Sequence, residues 1–234
     1  DPMRLQHIES TLLAKTIQAP AGVNQRAIAA IMNALLDIKG KALGVPVYNL
    51  MGGMVRDRLP VYFSHCGSYR VTNAALMGVP PLRSYDDVAR LGEEVRARGF
   101  KALKTNILML DRDQPTTWFP GFARGPGFPE LNATPEALEA IRRTLSAFRD
   151  GAGPDMGLHL DLNYNFKTSG YLRCAEAVAP YNLAWLEIDT WDHASLALIR
   201  RQAPCPIASL ESVIGRRGFR PFLDAYAADV GIVD

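Results

Sequence analysis

LHLDLN at residues 158–163 is the segment that best indicates the fold. Its pattern recurs downstream as AWLEID at 184–189, PIASLE at 206–211 and VGIVD at 230–234. Each stretch is a short apolar run with an acidic residue at or near its end. The four acids lie at intervals of 26, 24 and 23 residues and are Asp161, Glu187, Glu211 and Asp234. One strand and one helix fill an interval of this length, so the repeat predicts a parallel (β/α) barrel.

Two more strand-like segments lie upstream of this repeat. PVYFSHC at 60–66 and FKALKTNIL at 100–108 are rich in β-forming residues and predict the first two strands. Helical segments separate the six strands, near 86–99, 135–149, 168–179, 192–202 and 217–227. The expected fold class is therefore α/β, an incomplete TIM-type barrel of about six βα units. Six strands do not close an eight-stranded barrel, so either the sheet is open or the chain is incomplete.

The beginning of the chain is helical rather than part of the barrel. Apolar residues between 24 and 44 recur close to the 3.6-residue period, and Gly44 and Pro46 end that helix. We expect one domain over 1–57 and a barrel domain over 58–234 that contains strands one to six. Two long connections, about 67–85 and 110–134, follow strands, and loops of this length often bind a ligand.

Composition excludes several classes of protein. The 234 residues carry 26 basic and 24 acidic side chains, a formal net charge of +2, without a long basic run. Such a balance argues against binding to nucleic acid or to an anionic membrane. No stretch reaches 18 uninterrupted apolar residues, so we expect no membrane span. The odd number of cysteines, three, suits free thiols in the cytoplasm.

Alternation along each strand brings the polar side chains onto one face. The predicted site lies where the strands end. Its residues are Lys104, Asn106, Asp161, Asn163, Glu187, Glu211 and Asp234. Carboxylates that converge on one rim repel each other and therefore require a positive partner. Oxygen ligands suit a hard divalent cation, and Mg²⁺ is the simplest candidate.

This combination favours a particular chemistry. A carboxylate substrate held by the cation has an acidified α-proton, because the metal stabilises the enediolate that forms when the proton leaves. Lys104 is not a metal ligand, but its ammonium stabilises charge on a substrate oxygen. The bland alternative is that each acid is a helix cap or a surface charge.

Several segments resemble the mandelate racemase/muconate lactonizing enzyme group of the enolase superfamily. They are AIAAIMNALLDIKGKALGVPVYNLMGG (27–53), GFKALKTN (99–106), HLDLNYNF (159–166), WLEID (185–189) and IASLES (207–212). The first is similar to the helical part of the group's capping domain, which makes 1–57 the helical remainder of an α+β cap. The others are similar to barrel segments that carry a Lys-x-Lys motif, an Asp-x-Asn motif and two further metal-binding acids.

The resemblance implies a role for each matching residue. Asp161, Glu187 and Glu211 bind Mg²⁺, and Lys104 faces the substrate carboxylate. Asn163 sits beside the metal and the substrate. Asp234 matches an acid that orients a catalytic histidine on a seventh strand, beyond the last residue. The chain is then expected to be an internal portion, without the cap strands or the last barrel strands.

The departures from the family pattern narrow the expected reaction. Asn106 replaces the second lysine of Lys-x-Lys, and an amide cannot act as a base. This argues against a two-base racemase and favours one-base chemistry. The usual Glu-Glu-Pro is Glu187-Ile188-Asp189, so one carboxylate near the metal is moved or lost.

We therefore expect a lyase that dehydrates an acid sugar. A racemase, epimerase or cycloisomerase of the same superfamily is the alternative, and a non-catalytic metal-binding relative is the hypothesis from another class. The expected partners are a small-molecule carboxylate and, because barrel helices often mediate symmetric association, further copies of the chain.

Overall fold

The computed structural model describes residues 1–19, 22–122 and 129–233. Two compact units make up the chain, Asp1–Pro60 and Val61–Asp234. The first unit is helical and contains α1 (Leu5–Lys15), α2 (Val23–Leu43) and α3 (Val47–Leu50). α2 ends at Gly44, whose left-handed conformation (φ 67°) lets its N–H bond to carbonyls of the last turn.

The second unit alternates strands and helices. Its helices are α4 (Ser68–Thr72), α5 (Ala74–Met77), α6 (Tyr85–Ala97), α7 (Pro135–Ala152), α8 (Thr168–Val178), α9 (His193–Gln202) and α10 (Gly215–Asp224). Its strands are β1 (Ala102–Thr105), β2 (Leu108–Met109), β3 (Thr116–Thr117), β4 (Gly157–Asp161), β5 (Trp185–Glu187), β6 (Ile207–Ser209) and β7 (Val230–Gly231). Turns of 3₁₀ helix lie at Pro120–Phe122, Pro129–Asn132 and Ala179–Tyr181.

The main sheet has the order β1-β4-β5-β6-β7, and all its strand pairs are parallel. Each strand neighbours the next one of the sheet along the chain, with a helix in between. This is the order of a (β/α) barrel, and it confirms the predicted α/β class with a parallel, TIM-type arrangement. The carboxyl ends of these strands lie along one edge, which receives the site.

The predicted first strand is much shorter than the sequence suggested. In PVYFSHC (60–66) only Phe63 forms a bridge, a parallel one to Leu103, and its backbone bonds with Ala102 and Lys104 are 2.9 Å long. The backbone of His65 then turns into the left-handed region (φ 48°), which an extended strand cannot contain. The segment therefore lies beside β1 without forming a regular strand.

The second long connection also differs from a plain loop. β2 and β3 pair antiparallel, so the chain makes a small hairpin there before the 3₁₀ turn at Pro120–Phe122. Residues 123–128 of this connection lie outside the described part. The predicted strand over 100–108 is correspondingly divided into β1 and β2, on either side of Asn106.

Helices α6 and α7 pack closely against each other. Gly151 allows this approach, because a Cβ at this position would lie 1.8 Å from the carbonyl oxygen of Ala89. α6 begins with a capping box formed by Ser84 and Asp87, and α7 begins with a Thr134 cap followed by Pro135. Within the described ranges, no helix has both the length and the apolar character needed to span a membrane.

Candidate active site

Three charged side chains from neighbouring strands meet at the carboxyl edge of the sheet. Register places Asp161 of β4 directly opposite Glu187 of β5. The Nζ of Lys104, from β1, lies 2.9 and 3.1 Å from the two carboxylate oxygens of Glu187 and 3.4 Å from Oδ2 of Asp161. All three residues are buried, Glu187 completely. The structure thus brings these three predicted site residues into direct contact.

The charges in this cluster depend on one another. Burial opposes the charge of Lys104, but Asp161 and Glu187 raise its pKa above the usual value, so the ammonium stays charged. Burial also raises the pKa of Glu187, with Asp161 adding to the shift and Lys104 opposing it. One ammonium therefore faces two carboxylates, and the cluster attracts further positive charge.

Asp189 is a third buried acid of this region. It lies two residues beyond Glu187, on the same face, and is almost completely buried. Burial, together with the charges of Asp161, Glu211 and Glu187, raises its pKa to about 7. Asp189 stands at an alternate position to Glu187 in the sequence, but it is not among the predicted site residues. The signal for it was therefore present in the sequence.

Asn106 is held rigidly between β1 and β4. Its Nδ2 donates to the backbone oxygen of Asp161 at 3.2 Å and to Oδ1 of Asn163 at 3.3 Å. Its Oδ1 accepts a hydrogen bond from the Ser68 hydroxyl at 2.7 Å. An amide that donates and accepts in this way links strand ends and fixes their spacing, and the structure brings it beside Asn163 as predicted.

Asn163 has a left-handed backbone (φ 47°), and its N–H donates to Oδ1 of Asp161 at 2.9 Å. Its carbonyl accepts from the N–H of Asp189 at 3.2 Å and from the Tyr171 hydroxyl at 2.5 Å. The Tyr171 oxygen also lies 3.1 Å from the carbonyl of Asp189. Tyr171, from α8, was not predicted. It holds the chain that leaves β4 against the chain that leaves β5.

A layer of aromatic rings lies beneath the charged cluster. The rings of His159 and Trp185 stack at 3.7 Å, nearly parallel, and Tyr62 contacts both of them edge-on. The Nζ of Lys104 lies 5.7 Å from the centre of the Tyr62 ring. Burial, and then the charge of Lys104, lower the pKa of His159 to about 4, so this ring is neutral at pH 7. His159 is a core residue.

The two remaining predicted acids differ from this buried group. Glu211 follows β6 through Leu210, which has a φ of 89°, and it is exposed. It still lies close enough for its charge to raise the pKa of Glu187 and Asp189. Asp234 lies outside the described residues.

The donor atoms at this edge suit a hard cation. Asp161, Glu187 and Glu211 offer carboxylate oxygens, and Asn163 offers an amide oxygen. Burial, and then the repulsion between neighbouring acids, raise the pKa of Glu187 and of Asp189 despite the charge of Lys104. Among the residues that the structure describes, however, no three acidic, histidine or cysteine side chains are drawn together tightly enough to hold a metal. The three-ligand set therefore stays a prediction.

Two family descriptions match the sequence. Residues 87–234 match the family described as enolase C-terminal domain-like. Residues 1–52 match the family described as mandelate racemase/muconate lactonizing enzyme, N-terminal domain. The two matches lie in the same order as the helical unit and the α/β unit of the structure.

Curated relatives are similar along most of the chain. A D-galactarolactone cycloisomerase from Agrobacterium fabrum is 28% identical over 233 residues, which cover 98% of this chain and 52% of the relative. A D-galactonate dehydratase family member from Halomonas elongata is 29% identical over 217 residues, 89% of this chain and 50% of the relative. The chain thus spans about half the length of these relatives.

A solved structure extends the similarity to the fold. The protein is from Burkholderia xenovorans, was assigned as an L-alanine-DL-glutamate epimerase, and was crystallised with magnesium and fumarate. It is 44% identical, has a TM-score of 0.95, and is matched over 100% of this chain and 58% of its own.

Proposed function

The chain belongs to the mandelate racemase/muconate lactonizing enzyme group of the enolase superfamily, and on that premise we propose that it removes the α-proton of a carboxylate substrate with the help of Mg²⁺. The expected outcome is dehydration of an acid sugar. The observation that carries the proposal is the buried contact of Lys104 with Asp161 and Glu187 at the carboxyl edge of the sheet.

In this proposal, Asp161, Glu187 and Glu211 hold Mg²⁺. When bound, the metal acidifies the α-proton of a carboxylate and stabilises the resulting negative charge. A magnesium-bound relative of 44% identity and the carboxylate donor set support this part of the proposal.

Lys104 has the central role among the side chains. Its pKa is raised, so it is a permanent cation, and it lies at the end of β1 where it can contact the substrate carboxylate. It stabilises the enediolate by remaining charged while negative charge develops on the substrate oxygens. Asp161 and Glu187 keep its Nζ at the strand ends, beside the carboxylates that would hold the metal.

The amides orient rather than transfer protons. Asn106 fixes the distance between β1 and β4, and Asn163 points its polar groups beside Asp161. Neither amide can remove a proton, which supports a one-base reaction. Asp234 is proposed to orient the imidazole that acts as the base.

Isomerisation is the second candidate. The epimerase and cycloisomerase names of two relatives favour it, and both reactions begin with the same proton removal. A non-catalytic relative that binds metal without turnover is the remaining alternative. The cap helices over 1–57, the barrel over 58–234, a homo-oligomeric assembly and a cytoplasmic location are likewise proposals.

The test is Mg²⁺-dependent exchange of the α-proton in D₂O, followed by NMR on a panel of acid sugars with the full-length protein. Exchange followed by loss of water identifies a dehydratase, whereas exchange with inversion identifies an epimerase. Removing Mg²⁺ with EDTA should abolish exchange, and Glu187→Gln should lose it together with calorimetric Mg²⁺ binding. Glu176→Gln, an exposed position on α8, is the matched control and should keep both. If the folded protein binds Mg²⁺ but exchanges the α-proton of no acid on the panel, only the hypothesis of a non-catalytic relative remains.

A further inference from the structure

Aromatic side chains from three separate loops form a row at the carboxyl edge of the sheet. Trp191 follows β5, Tyr164 follows β4, and Phe122 ends the 3₁₀ turn after the hairpin. The rings of Tyr164 and Trp191 stack with centres 5.5 Å apart and planes 23° apart, and Phe122 meets Tyr164 edge-on at 6.5 Å. This aromatic row (Phe122, Tyr164, Trp191) has no part in the proposed chemistry.

Two of the three side chains of the row are exposed although they are apolar. Trp191 is 69% exposed and Phe122 is 61% exposed. Large apolar side chains at such exposure are costly in water, and a contiguous group of them usually marks a binding surface. One face of the Trp191 indole contacts Tyr164, and the rest of the ring is accessible.

The position of the row is fixed by the backbone around it. The N–H of Gly121 donates to the fully buried Asn165 side chain at 3.1 Å. A Cβ at Gly121 would lie 2.0 Å from the carbonyl oxygen of Tyr164, so only glycine permits this approach. The turn that carries Phe122 is thereby pressed against the strand end that carries Tyr164. A surface held in this way is preorganised.

The row lies beside the charged cluster rather than elsewhere on the surface. Tyr164 is three residues beyond Asp161 and Trp191 is four residues beyond Glu187. Burial raises the pKa of the Tyr164 hydroxyl, and the charges of Asp189 and Glu211 add to this shift, so the phenol lies near these acids. The row therefore lies near the acids at this edge of the sheet.

The electrostatic character of the aromatic rings indicates what kind of ligand the row can bind. Aromatic faces carry partial negative charge, so they repel anions and attract C–H groups. The nearly parallel stack of Tyr164 and Trp191 offers one flat face and does not form the enclosing cage that quaternary ammonium ligands prefer. A polyhydroxylated carbon chain has a flat C–H side that fits such a face, while its hydroxyls remain in water.

We propose that Trp191, supported by Tyr164, is the subsite that binds the distal carbons of the sugar acid. This inference rests on the proposed function for the position of the carboxylate. It adds a contact for the carbons beyond the carboxylate, and it assigns Trp191 as a specificity-determining residue.

Binding is tested first, independently of turnover, by indole fluorescence of the full-length protein with Mg²⁺. D-Galactonate, D-gluconate and D-mannonate are the probes. Glycerate is the short control, because it has the same 2,3-dihydroxy carboxylate head without the distal carbons. The ring nitrogens of Trp118 and Trp185 are buried, so Trp191 is the exposed reporter. At least one six-carbon acid should change the fluorescence, glycerate should not, and Trp191→Phe should lose the change.

Kinetics provide the second test. Trp191→Ala should raise KM for exchange of the six-carbon acid about tenfold, the value of one lost stacking contact, without a matching fall in kcat. The KM of glycerate should not change. Tyr226→Ala is the control, because Tyr226 is an exposed aromatic residue just before β7, at the other end of the sheet.

The outcomes separate the two proposals. Trp191-dependent fluorescence without any exchange supports the subsite and refutes the proposed reaction. Exchange that Trp191→Ala leaves unchanged refutes the subsite and keeps the reaction. Equal responses to glycerate and to the six-carbon acids, or no Trp191-dependent response to any of the three, also overturn the subsite.

Discussion

The ammonium of Lys104 lies 2.9 Å from Oε2 of Glu187, although 83 residues separate them along the chain. Both side chains are buried, so each is the main neutralising partner of the other. Because the same contact includes Asp161, the loss of the lysine leaves two acids without their cation.

Lys104→Met should therefore destabilise the fold as well as stop the reaction. Breaking a buried ion pair by removing one partner typically costs about 3–5 kcal/mol. We expect a loss of that size in urea unfolding at pH 7 without Mg²⁺, and a fall in exchange rate of about 10²–10³. Lys101→Met, at an exposed position just before β1, should change neither quantity. Equal unfolding midpoints for the Lys104 variant and the wild type would contradict the buried contact.

Asp189→Asn should change how stability depends on pH. The folded-state pKa of Asp189 is about 7, above its ordinary value of 3.8. Between pH 3.8 and pH 7 the folded chain therefore keeps a proton that the unfolded chain has lost. This contribution to stability is complete below about pH 4 and is lost as the pH rises through 7. The variant should gain stability relative to wild type over that window, measured by urea unfolding in EDTA. Parallel pH curves for the two proteins would refute the raised pKa.

His159→Phe should have the opposite pH dependence. The folded-state pKa of His159 is about 4, below its ordinary value of 6.5, because the buried ring resists protonation. The neutral His159 ring therefore contributes to the stability of the fold above pH 6.5, and this contribution is lost as the pH falls through 4. Phenylalanine keeps a ring against Trp185 and cannot be protonated, so the variant should resist acid unfolding better than wild type. An acid-unfolding midpoint that does not move, followed by circular dichroism, would be the contrary result.

Gly151→Ala should separate helices α6 and α7. Alanine normally stabilises a helix relative to glycine, but here its Cβ would lie 1.8 Å from the Ala89 carbonyl oxygen. Overpacking of this kind costs about 1–3 kcal/mol, which outweighs the gain of about 1 kcal/mol in helix propensity. Gly231→Ala is the control, because nothing lies within 4 Å of its added Cβ. Thermal unfolding of both variants measures the difference, and a stabilised Gly151 variant would refute this packing.

The spacing of the acidic residues predicted the parallel sheet. The alternation of side chains along each strand predicted the face that carries Lys104, Asp161 and Glu187. Both signals come from local backbone geometry, so they can be read without knowing the neighbours. The shortened first strand could not be predicted this way, since it depends on the left-handed backbone of His65, a residue that ordinarily adopts other conformations.

The burial of individual site residues could not be predicted from the sequence. Asp189 and Glu187 look alike in the sequence as acids at alternate positions, and only packing shows that Asp189 is enclosed. Glu211 matches the same repeat, yet the backbone of Leu210 turns it towards solvent. Tyr171 gave no signal at all, because a tyrosine in an amphipathic helix is most simply explained as core.

The parallel register of β1, β4 and β5 also has a kinetic meaning. Parallel neighbours are joined only across intervening helices, so Lys104 meets Glu187 only after two crossovers have closed. Contacts between residues so distant in sequence form slowly, since the loop-closure entropy is spent before they form. Until then Asp161 and Glu187 lack their lysine and remain hydrated. Protection of the β5 amides in pulsed hydrogen exchange should therefore appear together with the first Mg²⁺ response during refolding, so that this response marks the pairing of β1, β4 and β5.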